Sequence, residues 1–151
     1  MTGSRFTLLS AVHVFLVRDR RVLLLRRFNT GYEDGNFSVV AGHLDGGEEV
    51  VGAAIREARE EVGIRLERRD VTVVGVMHRL VENHNERIDF FLVAERWSGD
   101  IRNAEPHKCD LLRWVPIDHL PENVVSYVRR AIANYRHGVA FDSFGWKEDE
   151  H

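Results

Sequence analysis

Three glutamates lie close together in this sequence, at Glu57, Glu60 and Glu61. In a helix, residues three and four positions apart are neighbours, so these carboxylates would project from one side. Like charges at that spacing destabilise an isolated helix by about 0.2–0.5 kcal/mol per pair, and a bound cation would remove this penalty. Carboxylate oxygens suit Mg²⁺ or its substitute Mn²⁺, whereas Zn²⁺ prefers nitrogen and sulfur. Mg²⁺ is therefore the favoured metal for such a cluster, and taken alone the glutamates are equally explained by a solvated acidic face with Arg56 and Arg59 as counterions.

The glutamates fall within a segment, residues 48–62, whose pattern is helical. Gly63 is placed to end this helix. Gly42, Gly46 and Gly47 precede it and permit a turn whose backbone can approach a ligand closely, so that a carbonyl there would complete a coordination shell. Apolar residues at three- and four-residue spacing form a stripe that faces away from the glutamates, namely Val51, Ala54, Ile55, Ala58 and Val62.

The whole segment follows a longer pattern. It reads Gly42, five residues, Glu48, seven residues, Arg56-Glu57, two residues, Glu60-Glu61, one residue, Gly63 and the aliphatic Ile64. This pattern resembles the Nudix box, the signature of the Nudix hydrolase family. The resemblance implies that the three glutamates hold divalent metal with help from the Gly42 carbonyl. It also implies that Glu48 and Arg56 are supporting groups, and we expect these two to pair across the loop and the helix.

One position departs from the family pattern. Ala58 stands where the family usually has a larger aliphatic residue. This change affects packing under the helix and removes no charged group, so we expect the site to keep its chemistry.

The rest of the chain predicts strands on both sides of the helix and a second helix after them. Apolar, β-branched runs predict strands at residues 10–17, 22–25, 37–40, 71–77, 88–94 and 111–115, the first two forming a hairpin. The second helix is predicted from Pro121 to His137, followed by a loosely packed tail. The resemblance covers about residues 6–137 and implies an α/β fold, the Nudix α/β/α sandwich with a mixed β-sheet. We therefore expect a Nudix domain at 6–137 and a C-terminal tail at 138–151.

The family resemblance also implies an activity, the cleavage of a nucleoside diphosphate linked to another moiety. The leading interpretation is Mg²⁺-dependent hydrolysis of a nucleoside triphosphate, a modified purine nucleotide included, to monophosphate and pyrophosphate. ADP-ribose or a nucleotide sugar is the first alternative substrate. A nucleotide-binding domain without hydrolysis is the second alternative, although such domains usually have a degraded box and all box acids are present here.

Two further positions are candidates for contacts to metal or phosphate. Glu86 precedes a strand, and several relatives supply a late glutamate from that region as an extra metal ligand or base; the alternative is an ordinary loop residue. Arg26 and Arg27 end the second strand, where an arginine could bind a phosphate through two donors. The alternative for both arginines is surface charge.

Candidates for the remaining substrate contacts are Glu105, Asp110 and His43. Residues 103–110 resemble the matching stretch of MutT-type nucleoside triphosphate diphosphatases, and Glu105 or Asp110 could accept hydrogen bonds from a purine edge; the alternative is a turn before a strand. His43 lies inside the box and is placed either to bond a phosphate or to cap the loop.

Composition limits the other classes of protein. With 151 residues, 44% hydrophobic and 30% charged, the chain is typical of one globular domain. The formal charge of −3 argues against binding a nucleic-acid polymer, and no apolar run reaches the ~20 residues that span a bilayer. The N-terminus has no secretory pattern, so we expect a cytoplasmic protein with a small nucleotide as its partner. The lone Cys109 is expected to be a packed side chain, and because relatives often dimerise, a homodimer is a further expectation.

Overall fold

The structure is a computed structural model that describes residues 4–147. Within these residues it contains eight strands, two α-helices and two single-turn 3₁₀ helices, and no helix is long and apolar enough to cross a membrane. In chain order the elements are β1 (Leu9–Arg18), β2 (Arg21–Arg27), β3 (Phe37–Ser38), β4 (Val40–His43), α1 (Val50–Val62), β5 (Val71–Val81), β6 (Asn85–Ala94), β7 (Cys109–Pro116), α2 (Ser126–His137) and β8 (Phe141–Phe144).

Strand β1 is central to a mixed sheet. It runs antiparallel to β4 and parallel to β6, while β6 is antiparallel to β5 and β5 is parallel to β8. The predicted hairpin of β1 and β2 is confirmed, but only two residue pairs join the strands before β2 diverges to pair with β3 and β7. Its turn residues, Asp19 and Arg20, have φ of 53° and 62°, the conformation of tight two-residue hairpins.

Helix α1 covers one face of this sheet and α2 covers the other, which is the predicted α/β/α sandwich. The face of α1 that meets the sheet consists of small residues, and Ala53, Ala54 and Ala58 are fully buried. At the start of the helix, the Glu49 carboxylate accepts hydrogen bonds from the backbone N–H groups of Val51 and Gly52. The small side chain at position 58 is therefore accommodated by close packing of α1 against the strands that carry the site.

Helix α2 starts later than the sequence predicts. It begins at Ser126, because the backbone of Phe37 bonds to Asn123 and Val125 and holds the preceding segment extended beside β3. Val128 and Ile132 then share the buried face of α2, as predicted. These bonds tie β3 to the segment that precedes α2.

The segment after α2 also differs from the sequence prediction. Residues 138–147 do not form a loose tail, because β8 pairs in parallel with the edge strand β5 and Asp142 accepts hydrogen bonds from Arg130 and Asn134 of α2. The indole of Trp146 donates to the backbone carbonyl of His78 at 3.0 Å. Residues 148–151 of the predicted tail lie outside the described residues.

Candidate functional site

A cavity of about 780 Å³ lies beside α1, between β4, the end of β2 and the turn before β7. Many of the side chains predicted from the sequence to form the site meet there, although they come from distant parts of the chain. The predicted residues that line it are Arg26, Arg27, Gly42, His43, Arg56, Glu57, Glu60, Glu61 and Glu105. The fold thus joins most of the box residues with three predicted substrate contacts from other elements, Arg26, Arg27 and Glu105.

Glu57 and Glu61 form the buried part of this cavity. They lie one helical turn apart on α1 and face β4, where the backbone N–H of Ala41 donates to Glu61 at 3.2 Å. Burial raises the pKa of the Glu61 carboxyl well above its usual value, and both the hydrogen bond shared with Glu57 and the charge of that neighbour raise it further. The charge of Glu105 acts in the same direction. The neutral form of Glu61 is therefore favoured more than usual when no cation is bound nearby.

Gly42 lies directly against this carboxylate pair. A Cβ built at position 42 would overlap the side chain of Glu57, so any residue larger than glycine here would displace that carboxylate. The fixed spacing of Gly42 and Glu57 in the box thus has a steric cause. The lack of a side chain at Gly42 lets the backbone of β4 lie beside the glutamates of α1.

Arg56 organises the more exposed acids. Its guanidinium donates two hydrogen bonds of 2.9 Å to Glu48, as predicted, and single bonds to Glu57 at 3.0 Å and Glu60 at 3.2 Å. The hydrogen bonds from Arg56 to Glu48 are the main cause that holds the pKa of the Glu48 carboxyl below its usual value. Arg56 therefore connects the glycine turn to the helix and partly neutralises the acidic cluster.

The donor set fits a hard divalent cation. Within residues 4–147, no group of three His, Cys, Asp or Glu side chains is arranged to hold a metal ion, and Arg56 binds both Glu57 and Glu60. Even so, the cavity presents three carboxylates, two of them one helical turn apart, and a bound cation would relieve the repulsion between them. Oxygen donors of this kind match Mg²⁺.

Three predicted residues, Glu48, Glu86 and Asp110, do not line this cavity, and Glu48 is joined to it only through its hydrogen bonds with Arg56. Glu86 pairs with His78 at 2.8 Å on the β5–β6 hairpin. Asp110 receives two hydrogen bonds from Arg26, at 2.7 and 3.2 Å, which lower the pKa of its carboxyl. Glu86 and Asp110 therefore have partners of their own, and their roles toward metal or substrate stay predictions.

Arg27 and His43, two of the residues predicted to contact the substrate, have different partners in the cavity wall. Arg27 donates to the Tyr32 carbonyl at 2.6 Å and to the Thr30 hydroxyl at 3.0 Å, both of them neutral oxygens. The imidazole of His43 lies 3.3 Å from the guanidinium of Arg87. Their positions on the cavity wall are compatible with the predicted contacts, and their roles stay predictions.

Two cationic or titratable residues of the same cavity, His107 and Lys108, were not predicted from the sequence. Both are exposed, and both belong to the turn that also carries Glu105. One signal was available in the sequence, because Lys108 and Lys147 are the only lysines in a chain whose other basic residues are arginine. That signal alone gave no reason to place Lys108 near the box.

The buried acid pair predicts how stability depends on pH and on metal. Because folding raises the pKa of Glu61 above 4.5, this group stabilises the fold at low pH and the stabilisation is lost as pH rises through the folded pKa. We expect Tm in chelator to fall as the pH is raised above 4.5. Saturating Mg²⁺ should reduce that fall and, at 100 times its Kd, add about 2.7 kcal/mol to the free energy of unfolding.

Thermal denaturation with EDTA or Mg²⁺ across this pH range measures both effects. The matched variant, Glu61→Gln, should flatten the pH dependence in EDTA because it has no titrating carboxyl at this position. Identical curves in EDTA and Mg²⁺ for the unmodified chain would contradict the assignment of a cation to this cavity.

The comparison with known families agrees with this geometry. Residues 7–135 match the NUDIX domain family. The chain belongs to the Nudix hydrolase family. Its Nudix fold is similar to the crystal structure of a MutT NUDIX hydrolase from Burkholderia pseudomallei, with 30% identity, a TM-score of 0.77 and coverage of 85% of this chain and 98% of that one.

Two further relatives are named for ADP compounds. The ADP compounds hydrolase NudE of Escherichia coli (strain K12) is 26% identical over 110 residues, which cover 73% of this Nudix chain and 58% of NudE. This chain therefore spans less than two thirds of that curated relative. A crystal structure of an ADP compounds hydrolase aligns with a TM-score of 0.70 at 24% identity, covering 88% of this chain and 74% of that one, which shows a shared fold.

Proposed function

We propose that the chain hydrolyses a nucleoside triphosphate with Mg²⁺ and releases the monophosphate and pyrophosphate. The observation that carries the proposal is the arrangement of Glu57, Glu60 and Glu61 around one cavity that also holds Arg27 on its wall. Carboxylates able to hold a divalent cation thus lie in the same cavity as a guanidinium able to bind a phosphate. Membership of the Nudix hydrolase family supports a reaction at a phosphoanhydride bond.

Each residue of the site has a defined part in this reaction. Glu57, Glu60, Glu61 and the Gly42 carbonyl would hold Mg²⁺. Bound Mg²⁺ would polarise the phosphate oxygens and stabilise the charge that develops in an in-line displacement. Arg56 keeps Glu48 and the glycine turn in place beside the helix through its hydrogen bonds.

Hydrolysis of the phosphoanhydride needs a group in the cavity that accepts a proton from the attacking water. The oxygen of water forms a bond to phosphorus, and the bond from that phosphorus to the bridging oxygen breaks. Pyrophosphate leaves with the bonding electron pair, and a carboxylate of the cavity accepts the proton of the attacking water. Arg27 donates to a phosphate oxygen and keeps the substrate in line.

A second candidate substrate is ADP-ribose or another ADP compound. The similarity to the E. coli ADP compounds hydrolase favours it. Both candidates contain a diphosphate that the carboxylate site could engage, and they differ in the group attached to its far end. A triphosphate carries a charged terminal phosphate, whereas ADP-ribose carries a neutral sugar.

A substrate panel tests the proposal. The wild-type chain is assayed with Mg²⁺ on several nucleoside triphosphates, ADP-ribose and a nucleotide sugar, with chromatographic detection of all products. We expect pyrophosphate from at least one triphosphate at a kcat/KM that exceeds the value for ADP-ribose by about tenfold or more. Activity on ADP-ribose alone would overturn the choice of substrate.

The same panel separates hydrolysis from binding without turnover. In the matched variant Glu60→Gln we expect nucleotide binding to persist while product formation falls. Nucleotide binding by the wild-type chain with no product from any member of the panel would support the non-hydrolytic alternative and contradict the proposal.

A further inference from the structure

The turn that carries Lys108 is a rigid part of the cavity wall. The backbone N–H groups of Lys108 and Cys109 both donate to the Glu105 carbonyl, at 2.9 and 3.1 Å. The Asn103 side chain closes the same turn by donating to the Cys109 carbonyl at 2.6 Å. The backbone of Ala104 donates to the Glu61 carbonyl of α1 at 3.0 Å. The turn is therefore fixed to the helix that carries the acidic cluster.

The same turn is bound to the end of β2. The backbone N–H of Phe28 donates to the Lys108 carbonyl at 2.9 Å, and Arg27 is the register partner of Cys109 in the β2–β7 ladder. Lys108 and Arg27 thus lie on neighbouring segments of one wall of the cavity, which both side chains line.

The cations of this cavity differ in whether their charge is already neutralised. Arg56 is paired with Glu48, Glu57 and Glu60, and Arg26 is paired with Asp110. Arg27 donates only to neutral oxygens, although Asp34 lies near enough for the charge of Arg27 to lower the pKa of that carboxyl.

Lys108 has no carboxylate partner among the described residues. Its exposed ammonium forms no ion pair or side-chain hydrogen bond within residues 4–147, although the turn beneath it is fixed. A positive charge that extends from a fixed turn and is not neutralised is suited to an anionic ligand, because binding needs no existing ion pair to break. With Arg27 beside it, this wall offers two cations to a phosphate.

We propose that Lys108 binds the terminal phosphates of the substrate and makes the site select a nucleoside polyphosphate over a nucleotide whose far end is an uncharged sugar. This inference rests on the proposed function and names a specificity determinant of that site. The acidic cluster engages the phosphates that react, and Lys108 and Arg27 engage the charge beyond them.

The first test measures anion binding directly, without turnover. Inorganic tripolyphosphate with Mg²⁺ is titrated into the wild-type chain, Lys108→Ala and Lys108→Arg, with Lys147→Ala as the matched control on the other, exposed lysine. Loss of one charge-assisted contact should weaken binding by roughly tenfold or more in Lys108→Ala. Lys108→Arg should restore most of the affinity, and Lys147→Ala should match the wild type. Unchanged affinity in Lys108→Ala would overturn the inference.

The second test measures selectivity. In Lys108→Ala we expect KM for the triphosphate to rise by roughly tenfold with kcat little changed, because the lost contact is made equally in ground and transition states. KM for ADP-ribose should stay at the wild-type value. An equal rise for both substrates would contradict the role in selectivity. Absence of turnover by the wild-type chain would be a failure of the proposed function, and the tripolyphosphate titration would still decide the role of Lys108.

Discussion

Glu57→Gln is expected to lower kcat by about 10³-fold, because a catalytic metal contributes several kcal/mol to stabilising the transition state. Glutamine keeps the shape of the side chain. Its carbonyl can still accept from Arg56, and its amide can donate to Glu61, so the two contacts of Glu57 seen in the structure are preserved. The variant removes the charge of one proposed metal ligand while leaving the packing beside Gly42 intact.

The stability of this variant distinguishes a functional from a structural role. The buried carboxylate pair is unfavourable without a cation, so metal-free Glu57→Gln should be at least as stable as the wild-type chain and should lose most of its thermal shift with Mg²⁺. Glu67→Gln is the matched control, because Glu67 is exposed and pairs only loosely with Arg65, at 3.5 Å. Wild-type turnover in Glu57→Gln would remove Glu57 from the proposed metal site.

Asp89→Asn is expected to destabilise the fold by about 3–5 kcal/mol, the usual cost of breaking a buried ion pair from one side. Asp89 is fully buried under α2 and accepts hydrogen bonds from Arg79 at 2.8 Å and from His13 at 3.0 Å. Burial alone would raise the pKa of this carboxyl, but the two hydrogen bonds and the charge of Arg79 hold it below its usual value. The variant leaves the guanidinium of Arg79, itself 7% exposed, without a counterion.

Chemical denaturation of Asp89→Asn measures this effect. The control is Asp142→Asn, whose ion pair with Arg130 at 3.0 Å is partly exposed and should contribute less than about 1 kcal/mol. Since the pKa of Asp89 is depressed in the folded chain, its contribution to stability is present above the unfolded pKa and is lost as pH falls through the folded pKa. A loss of stability no larger than that of Asp142→Asn would contradict the role assigned to this buried cluster.

The parts of the site that sequence reasoning could reach are those defined by local spacing. The helical period places Glu57, Glu60 and Glu61 on one side of α1, and the interval between Glu48 and Arg56 is short enough for their pairing to be expected. The sequence also predicted that the backbone at Gly42 approaches another group closely. Only the structure shows that this group includes the side chain of Glu57. The end of α1 was predicted from Gly63, whereas the helix starts at Val50, two residues later than predicted, and its cap Glu49 was not predicted.

The parts that sequence reasoning missed depend on contacts between distant segments. Lys108 reaches the cavity only because β7 pairs with β2, which no local pattern specifies. The cluster of His13, Arg79 and Asp89 joins three strands, and each residue taken alone looks like an ordinary polar residue in an apolar run. Strand β8 has four residues and no alternating pattern, so its pairing with β5 was not visible in the sequence.

The most direct test of a metal-dependent hydrolase is product formation by the wild-type chain with and without divalent metal. A nucleoside triphosphate that is a substrate in the panel is incubated in EDTA and then with excess Mg²⁺, and monophosphate and pyrophosphate are quantified by ³¹P NMR. We expect no turnover in EDTA and equimolar release of the two products once Mg²⁺ is present. Equal turnover in both conditions, or no turnover in either for any nucleotide, would contradict a metal-dependent hydrolase built on Glu57, Glu60 and Glu61.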